Sequence, residues 1–529
     1  MPLTRRAFAQ TLGLGAVATT WQDPALRAGL PRRQGYGERL EAPALLASVQ
    51  GAPQPAPRPS TGDGLCDLDA VDLAARLRRR DVSAVEVMRA HLARIEELNP
   101  RVNAIVTLVA ERALADAGRA DAALARGDAP GPLHGLPVAH KDLVDTAGIR
   151  TTRGSLFYKD HVPTQDAMIV TRMRAAGAVT IGKTNTPEFG AGSQTFNRVF
   201  GATRNPWDVS RTCGGSSGGA AVALACGMVP IADGSDAGGS LRNPAAWCNV
   251  VGFRPSPGRV PRGASWSPIA VAGPMARTVA DVALLLSVLA GPDTADPLSL
   301  QEDPVRFRGG LDREFKGTRV AWWTGLGGLP FEPEIREVVD GTRRVFEQLG
   351  CVVEADEPDF GGVDRAFPAL RYASNYSQYK ELLDQRPEWV KDTIAYEVAQ
   401  VEAMGGTEIA RALTCQTRMY QDTHAFFTRH DFFVLPVTQV SPFDVTTPYP
   451  TAINGTPMLS YIDWMRSCWY VTLMGCPAIS VPAGFTRAGL PVGLQIVGRH
   501  RDDWGVLQLA RAFEQATGHG RRRPPVASA

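Results

Sequence analysis

The stretch "TCGGSSGGAAVALA", residues 212–225, places Ser216 and Ser217 between two glycine pairs and then continues into small apolar residues. The apolar part is typical of a buried helix, whereas the glycines leave the backbone around the two serines unusually free. Three interpretations compete for such a segment: a flexible linker, a phosphate-binding loop, or part of a nucleophilic catalytic site. The neighbouring segments have to decide between them.

Helices and strands alternate on both sides of this stretch. A helical pattern at 168–176 precedes the strand "AVTIG" (178–182), and the strand "MVPIAD" (228–233) follows the glycine-rich segment. This alternation predicts an α/β protein with helices on both faces of a sheet. A further helix is expected to begin at a Ser83–Glu86 capping box and to end at Asn99-Pro100. A helix–strand unit is expected at 332–354, with a helix stop at Gly350. The remaining expected elements are a helix at 110–125, a strand within "LPVAHKDLVD" (136–145), and strands at 431–436, 478–482 and 492–498.

The composition is that of an ordinary globular protein. The 529 residues are 44% hydrophobic and 21% charged, with a formal net charge of +2. This balance gives no reason to expect nucleic acid or an acidic membrane surface as a partner, and no apolar run reaches the roughly 18 residues of a spanning helix. Cys213, Cys226 and Cys248 lie among small apolar residues and no C-x-x-C occurs, so buried free thiols are expected.

The first sixty residues differ from the rest. Arg5 and Arg6, followed by Phe8 and a weakly apolar stretch, look like a twin-arginine export signal over residues 1–30. The alternative is an amphipathic N-terminal helix with a chance arginine pair. Residues 31–63 are rich in proline, alanine and glycine and are typical of a linker. The interpretation as a signal predicts an exported protein, either periplasmic or secreted.

Two well-known motifs match by letter and fail by context. "GAVTIGKT" (177–184) fits the phosphate-loop pattern, but its middle residues are stiff β-formers that belong in a strand. "GGSSG" (214–218) fits the nucleophile elbow of Ser-His hydrolases, but a polar, proline-interrupted loop precedes it where a strand is required. A Ser-His esterase therefore stays only as an alternative. Its candidate histidines are His424, His430, His500 and His519.

Three segments each set a chemically capable side chain among glycines beside an apolar strand. They are "GLPVAHKDL" (135–143) with Lys141, "GGSSGG" (214–219), and "ADGSDAGGSLRNPAA" (232–246) with Ser240. The consecutive N–H groups before Ser240 could converge on one point and hold an oxyanion, as acyl transfer requires. The alternative for this last segment is a plain glycine-rich turn.

A serine nucleophile needs a base, and Lys141 is the candidate. Burial disfavours the ammonium form and lowers a lysine pKa from its usual value of about 10.4. Lys141 follows the apolar "LPVA", so partial burial is expected. The alternative is that Lys141 forms an ion pair with Asp142 or Asp145.

Together the three segments resemble the amidase signature family of serine hydrolases. The similarity runs from about residue 65 to 515, and the separations of 75 residues from Lys141 to Ser216 and 24 from Ser216 to Ser240 fit the family. It also includes "KTNTPEFG" (183–190), "TRNPWD" (203–208), "VAGPMARTVAD" (271–281) and "GCPAISVPAGFTRAGLPVGLQIVG" (475–498).

The resemblance implies a Ser-Ser-Lys triad. Ser240 would be the nucleophile, Lys141 the base, and Ser216, in a cis peptide after Gly215, the proton relay between them. Ser217, Asp236 and Arg242 would support the loop that carries Ser240. The backbone N–H groups of the oxyanion hole would be those of Ala237, Gly238, Gly239 and Ser240.

The sequence departs from the family pattern in three places. Ser235 and Ala237 stand where threonine is frequent, and His140 precedes the lysine where an apolar residue is usual. Since Ala237 still supplies its N–H, only the adjoining pocket wall is affected. His140 is expected to be a hydrogen-bonded neighbour and not a second base. An aromatic pocket wall is also expected, favouring aryl or bulky apolar groups. Its candidate residues are Trp266, Tyr372, Tyr376, Trp464 and Trp469.

We therefore expect a single large α/β domain at 64–520, with a twisted mixed β-sheet core flanked by helices, a pocket-capping insertion at 300–430 and a tail at 521–529. Its expected activity is amidohydrolysis of linear amides to acid plus amine or ammonia. No metal or cofactor is expected, because His134 and His140 have no third ligand at a familiar spacing. The expected partner is a small-molecule amide, and a homo-oligomer is compatible with the sequence. The closest alternative is a glutamine-hydrolysing transamidase subunit of the same family.

Overall fold

A computed structural model describes residues 64–528 of the chain. Its core is one mixed sheet of eleven strands, in the order β1-β3-β2-β6-β8-β7-β14-β15-β11-β9-β10, and two short hairpins (β4–β5, β12–β13) lie outside it. The strands are β1 Ile105–Leu108, β2 Pro137–Lys141, β3 Val179–Thr184, β4 Phe196–Asn197, β5 Gly201–Ala202, β6 Ile231–Asp236, β7 Val251–Arg254, β8 Val271–Ala276, β9 Arg319–Trp322, β10 Val352–Ala355, β11 Phe432–Pro436, β12 Ala452–Ile453, β13 Thr456–Pro457, β14 Ala478–Phe485 and β15 Pro491–Gly498.

Helices flank this sheet, as the alternating sequence pattern predicts. The α-helices are α1 Ala70–Arg79, α2 Ala84–Val102, α3 Ala110–Arg126, α4 Met168–Ala175, α5 Gly218–Ala225, α6 Arg242–Cys248, α7 Val279–Leu289, α8 Pro333–Asp340, α9 Arg343–Gln348, α10 Val363–Gln385, α11 Asp392–Ala403, α12 Gly406–Arg429, α13 Arg466–Met474, α14 Asp503–Thr517 and α15 Pro525–Ser528. Short 3₁₀ helices lie at Leu65–Asp67, Leu156–Tyr158, Glu188–Gly190, Pro304–Arg308, Pro387–Trp389, Asp463–Met465 and His519–Arg521. Across residues 64–528, the helices are too short or too polar to cross a membrane.

The interior strands β2 and β6 bring distant segments of the chain together. β2 pairs in parallel with both β3 and β6, whereas β6 pairs antiparallel with β8. Because neighbouring parallel strands end at the same edge of a sheet, the last residues of β2 and β6, Lys141 and Asp236, lie at one edge. All five residues of β2 are buried.

Helix α5 packs closely against the sheet because it is built from small residues. All eight of its residues are buried. A Cβ atom added at Gly219 would lie only 2.3 Å from the backbone nitrogen of Asn185. No larger side chain fits at this position unless the backbone moves. The glycine pair 218–219 thus sets how near Ser216 and Ser217 approach the edge of the sheet.

Most expected elements are present, although several boundaries differ: the strand expected at 228–233 is β6, Ile231–Asp236, and the strand expected at 478–482 is β14, Ala478–Phe485. The Ser83–Glu86 capping box is confirmed, and the phosphate-loop look-alike is the buried strand β3. Helix α2, however, continues past Asn99-Pro100 to Val102. Pro100 lies in its last turn, where a proline removes only one backbone hydrogen bond and the helix is about to end.

The structure bears on the expectation for the C-terminal end of the chain but not on that for the N-terminal end. The expected export signal and linker, residues 1–63, lie outside the described residues. At the other end, the expected tail contains helix α15, and its Val526 is only 3% exposed. The Asn249 side chain holds the preceding turn through the carbonyls of His519 and Arg522.

Candidate active site

The Lys141 side chain ends among three hydroxyl groups. Its Nζ lies 2.8 Å from Ser216 Oγ, 2.9 Å from Ser217 Oγ and 3.0 Å from Ser235 Oγ. The peptide bond between Gly215 and Ser216 is cis, as the resemblance implied. A protonated lysine would donate to all three oxygens, whereas a neutral amine has only two N–H groups and one lone pair. In the neutral form, one of the three hydroxyls therefore has to donate to nitrogen.

Burial makes the neutral form of Lys141 accessible. The side chain is fully buried, and this burial lowers its pKa to about 7. The carboxylates of Asp233 and Asp236 oppose the shift, and the positive charge of Arg262 adds to it. Lys141 therefore has the pKa that a general base at neutral pH requires.

The ion pairs considered as an alternative for Lys141 are not formed. Asp142 accepts hydrogen bonds from the hydroxyl and the backbone N–H of Thr152. Asp145 pairs with Arg153 at 3.2 Å. Both carboxylates thus have partners of their own in the loop after β2. The Lys141 amino group contacts the serine hydroxyls instead.

Asp233 holds the end of β2 through hydrogen bonds to two of its residues, His140 and Lys141. Asp233 Oδ1 accepts the backbone N–H of Lys141 at 3.0 Å, and its Oδ2 lies 2.6 Å from His140 Nδ1. His140 Nε2 lies 3.2 Å from the Thr180 hydroxyl. Since both ring nitrogens have partners and the ring is fully buried, His140 is a hydrogen-bonded neighbour of the lysine, as expected.

Asp236 organises the loop that carries Ser240. Its carboxylate receives the Gly239 and Leu241 N–H groups at 2.9 and 3.1 Å and a two-point ion pair from Arg242 at 2.9 and 3.0 Å. Arg254 donates to the Asp236 carbonyl at 2.7 Å. Burial alone would raise the pKa of Asp236, but the two guanidinium groups hold it well below its usual range.

This arrangement uses one of the N–H groups expected in the oxyanion hole. The Gly239 N–H donates to Asp236 Oδ1, so it holds the loop and is not free for a substrate oxygen. Gly239 also has a φ of +118°, a region that favours glycine, and an added Cβ would meet Cys468 Cβ at 2.6 Å. The N–H groups left for an oxyanion are those of Ala237, Gly238 and Ser240.

Ser216, Ser235 and Ser240 border the same cavity, which has a volume of about 160 Å³. Ser240 is 9% exposed and Ser216 2%, so Ser240 is the more accessible of the two. One side of the cavity is apolar and includes Phe189, stacked on Tyr379 with ring centroids 4.6 Å apart. The complete lining is Leu143, Phe189, Gly190, Ala191, Ser216, Ser235, Asp236, Ala237, Ser240, Arg262, Ser267, Ile269, Ala270, Arg371, Ser374, Asn375, Gln378 and Tyr379.

The five aromatic residues expected in the pocket wall lie outside this lining. Trp464 stacks on Trp247 in the core and donates its indole N–H to the Ser193 hydroxyl at 3.0 Å. Trp469 stacks on Phe367. Their indole groups are satisfied within the core, which is the usual place of large aromatic side chains. Tyr372 is likewise buried, Tyr376 packs against a small cluster around Val390 and Ile394, and Trp266 is 81% exposed.

The candidate histidines of a Ser-His hydrolase are placed elsewhere. His430 Nε2 pairs with Asp356 at 2.8 Å, and His500 Nδ1 lies 2.9 Å from the Gly475 carbonyl. His424 and His500 line a separate surface cavity, and His519 is in the C-terminal turn. In addition, the "GGSSG" segment follows a loop and not a strand, so the elbow geometry is missing.

The sequence pattern does not single out two residues of the site. It presents Asp233 only as the end of a strand and Ser235 only as a departure from threonine. They are two residues apart on β6, so their side chains alternate to the same face of the sheet, and the register Ala139–Ala232 places Asp233 level with His140 on β2. This register, applied to the segments "VAHK" and "ADGSD", is the signal that could have linked Asp233 to His140.

The fold and the site define a class of α/β proteins that hold a buried lysine among serines at one edge of a mixed sheet, and comparison with known proteins makes the class specific. The amidase family model matches residues 86–507. The chain is 36% identical over 467 residues to an acylamidase of Rhodococcus erythropolis, covering 86% of this chain and 97% of the relative. It therefore belongs to the amidase signature family and is an enzyme of that family.

One further relative and one solved structure are also similar to this chain. A glutamyl-tRNA(Gln) amidotransferase subunit of Moorella thermoacetica is 36% identical over 486 residues, covering 86% of this chain and 98% of the relative. Among solved structures, a bacterial aryl acylamidase of the amidase signature family superposes with a TM-score of 0.80 at 29% identity, covering 86% of this chain and 99% of the other.

Proposed function

We propose that this protein hydrolyses the C–N bond of linear carboxylic amides to an acid plus an amine or ammonia, through an acyl-enzyme on Ser240. The observation that carries the proposal is the contact of the buried Lys141 Nζ with Ser216 Oγ at 2.8 Å, beside a cavity that Ser216 and Ser240 share. A relay hydroxyl and an accessible serine thus line one cavity, and the candidate base contacts the relay hydroxyl directly. This is the set that acyl transfer requires.

In the first half-reaction, neutral Lys141 accepts the proton of Ser216 while Ser216 takes the proton of Ser240. Ser240 Oγ then forms a bond with the carbonyl carbon, and the carbonyl oxygen becomes an oxyanion held by the N–H groups of Ala237, Gly238 and Ser240. Donors aimed at this developing charge are worth about 3–4 kcal/mol each in comparable sites. When the oxyanion collapses, the C–N bond breaks and the proton returns through Ser216 to the leaving amine.

In the second half-reaction, water takes the place of the amine. The same relay removes its proton, its oxygen attacks the ester carbon, and the bond from carbon to Ser240 Oγ breaks. The acid leaves and Ser240 regains its proton. Each proton thus moves among Lys141, Ser216 and the reacting groups, and the lysine ends the cycle neutral, as it began.

Labelling by a fluorophosphonate tests the roles of the three residues. Such a reagent forms a stable bond with an activated serine, so the wild-type protein should label. Ser240→Ala should not label at all, whereas Ser216→Ala and Lys141→Ala should label much more slowly. Asp145→Asn, a change in the loop after Lys141, serves as a control. Labelling and turnover that persist in Ser240→Ala would refute the assignment.

A transamidase role is the second candidate, because relatives of equal identity are named as amidotransferase subunits. Hydrolysis of neutral acylamides and anilides by the isolated protein, with free glutamine hydrolysed poorly, supports the amidase. Release of ammonia from glutamine as the principal activity of the protein would support the transamidase instead.

We also propose that the protein is exported, since Arg5, Arg6 and Phe8 match a twin-arginine signal. The test is a fusion of residues 1–63 to a reporter that is active only after export. The Arg5→Lys, Arg6→Lys variant should abolish the reporter signal. Equal signal from the variant and the parent fusion would contradict the proposal.

A further inference from the structure

Arg262 stands out among the charged residues of the active-site cavity. It lies in the segment between β7 and β8 and lines the cavity together with Ser240. The residue is exposed to solvent. One of its guanidinium nitrogens donates to the Ala270 carbonyl at 2.5 Å, and its backbone N–H donates to Asp296 at 2.8 Å. Both the backbone and the side chain of Arg262 are thus held in place, and the residue lines the cavity.

The other charges of the cavity are already balanced. Asp236 is in a buried ion pair with Arg242. Arg371 pairs with Glu397 at 2.9 Å, and this carboxylate also receives the Tyr461 hydroxyl at 3.1 Å. Neither group therefore offers an unpaired charge to a substrate.

Arg262, in contrast, has no ion-pair partner within residues 64–528. Its only side-chain hydrogen bond there is to the neutral carbonyl of Ala270. A guanidinium carries five N–H donors, so most of its donors remain for a ligand. The buried Asp296 carboxylate, which accepts the Arg262 backbone N–H, stabilises this positive charge from beyond ion-pair distance. The Arg262 guanidinium is therefore the one charged group of the cavity lining within residues 64–528 that has no ion-pair partner.

From these contacts we infer that Arg262 binds an anionic group of the substrate, a carboxylate, and makes the enzyme selective for amides that carry one. The inference rests on the proposed amidase function and names the substrate class of that site. Arginine matches a carboxylate with two parallel hydrogen bonds, which gives orientation as well as affinity.

One side of the cavity wall is apolar and fits an apolar part of such a substrate. Phe189 and Tyr379 form a stacked aromatic pair on the wall, and Leu143 and Ile269 add aliphatic surface. A substrate that reaches both Ser240 and Arg262 therefore has an apolar or aryl body between its scissile amide and its carboxylate. With a volume of about 160 Å³, the cavity admits a compact molecule of this kind.

Two matched substrate pairs test the inference and locate the carboxylate. Succinic acid mono-4-nitroanilide and butyric 4-nitroanilide differ by a carboxylate on the acyl side. 4-Acetamidobenzoate and 4-methylacetanilide differ by one on the amine side. The wild-type protein should prefer the charged member of at least one pair in kcat/KM, chiefly through KM.

Substitution of Arg262 should remove this preference. Arg262→Gln should lower kcat/KM for the preferred anionic substrate by roughly tenfold or more, as loss of a charge-assisted hydrogen bond does, and leave its neutral partner unchanged. Arg262→Lys should keep part of the preference, and Arg262→Glu should reverse it. Arg344→Gln, which removes the same charge from the exposed face of α9, is the control. Because Arg262 also lowers the pKa of Lys141, rates are compared on the alkaline plateau of each variant.

The two proposals fail in different ways. Equal rates for charged and neutral substrates in the wild-type protein, or equal losses on both in Arg262→Gln, would overturn the inference and leave amide hydrolysis intact. Hydrolysis of none of the four amides would refute the proposed function itself.

Discussion

Lys141 Nζ and Ser216 Oγ lie 2.8 Å apart although 75 residues separate them in the chain. The contact forms because Lys141 is the last residue of β2, an interior strand of the sheet, and Ser216 lies two residues before the buried helix α5. It is also a contact without a counter-charge, since the nearest partners of the lysine are hydroxyl groups. Burial away from a counter-charge favours the neutral form of a lysine, which is the form that the proposed mechanism uses.

The first prediction concerns the pH dependence of activity. Burial lowers the pKa of Lys141 to about 7, and the proposed mechanism needs its neutral form. Activity is therefore present above this pKa and lost as the pH falls through it, about tenfold per pH unit on the acid side. The measurement is kcat/KM for a neutral amide between about pH 5 and pH 11, with circular dichroism to verify the fold at each pH. A midpoint near the ordinary lysine value of 10.5 would contradict a buried base.

A second prediction concerns the carboxylate behind the lysine. Asp233 raises the pKa of Lys141, so Asp233→Asn should lower it and move the acid limb of the profile below about pH 7. The asparagine oxygen can still accept the Lys141 backbone N–H. Asp145→Asn removes the same charge from the half-buried ion pair with Arg153 and should leave the midpoint in place. A midpoint that moves upward in Asp233→Asn would show that Asp233 acts through the backbone and not through its charge.

Much of the site could be predicted from the sequence because its parts are local. Each of the three segments joins a strand or helix end to glycines, and each such junction is readable from a few neighbouring residues. The strand beneath "GAVTIGKT" and the helix after "GGSSGG" follow from the same local pattern. The contact partners of Asp236 were predictable only in part, because Arg254 comes from another strand and meets it across the sheet.

The pocket wall could not be predicted in this way. Tyr372 and Tyr376 on α10 were expected in the wall, but the cavity is lined by Arg371 and Asn375, each one position earlier. One position is a rotation of about 100° on a helix. Which face of α10 meets the cavity depends on the packing of α11 and α12 around it, and the sequence of α10 alone does not contain that information.

A third prediction separates stability from activity. The Ser83 hydroxyl accepts the Glu86 N–H at 3.1 Å at the start of α2, away from the cavity. Ser83→Ala should lower the free energy of unfolding by about 1 kcal/mol, since an N-cap hydrogen bond is lost. Urea unfolding measures this change, and kcat/KM should not move. Ser83→Asn, which keeps a capping oxygen, is the control; a loss of stability as large as that of the alanine variant would show that the cap is not the cause.

The fourth prediction concerns the buried ion pair under the Ser240 loop. Asp236 is fully buried with Arg242, and Arg254 lies against its carbonyl. Asp236→Asn keeps the side-chain volume but removes the charge, so two guanidinium groups remain buried without a counter-ion. Breaking a buried pair in this way costs about 3–5 kcal/mol. The variant should therefore unfold at much lower urea concentration than the wild-type protein.

The same substitution should also reduce activity, because the Gly239 and Leu241 N–H groups lose their anchor and the loop that positions Ser240 loosens. At permissive temperature and low urea, kcat should fall more than KM rises. Asp81→Asn breaks an exposed pair with Arg79 and should change neither stability nor rate measurably. A stable Asp236→Asn protein with full activity would mean that Arg242, through the Cys468 carbonyl and Gln495, holds the loop without the carboxylate.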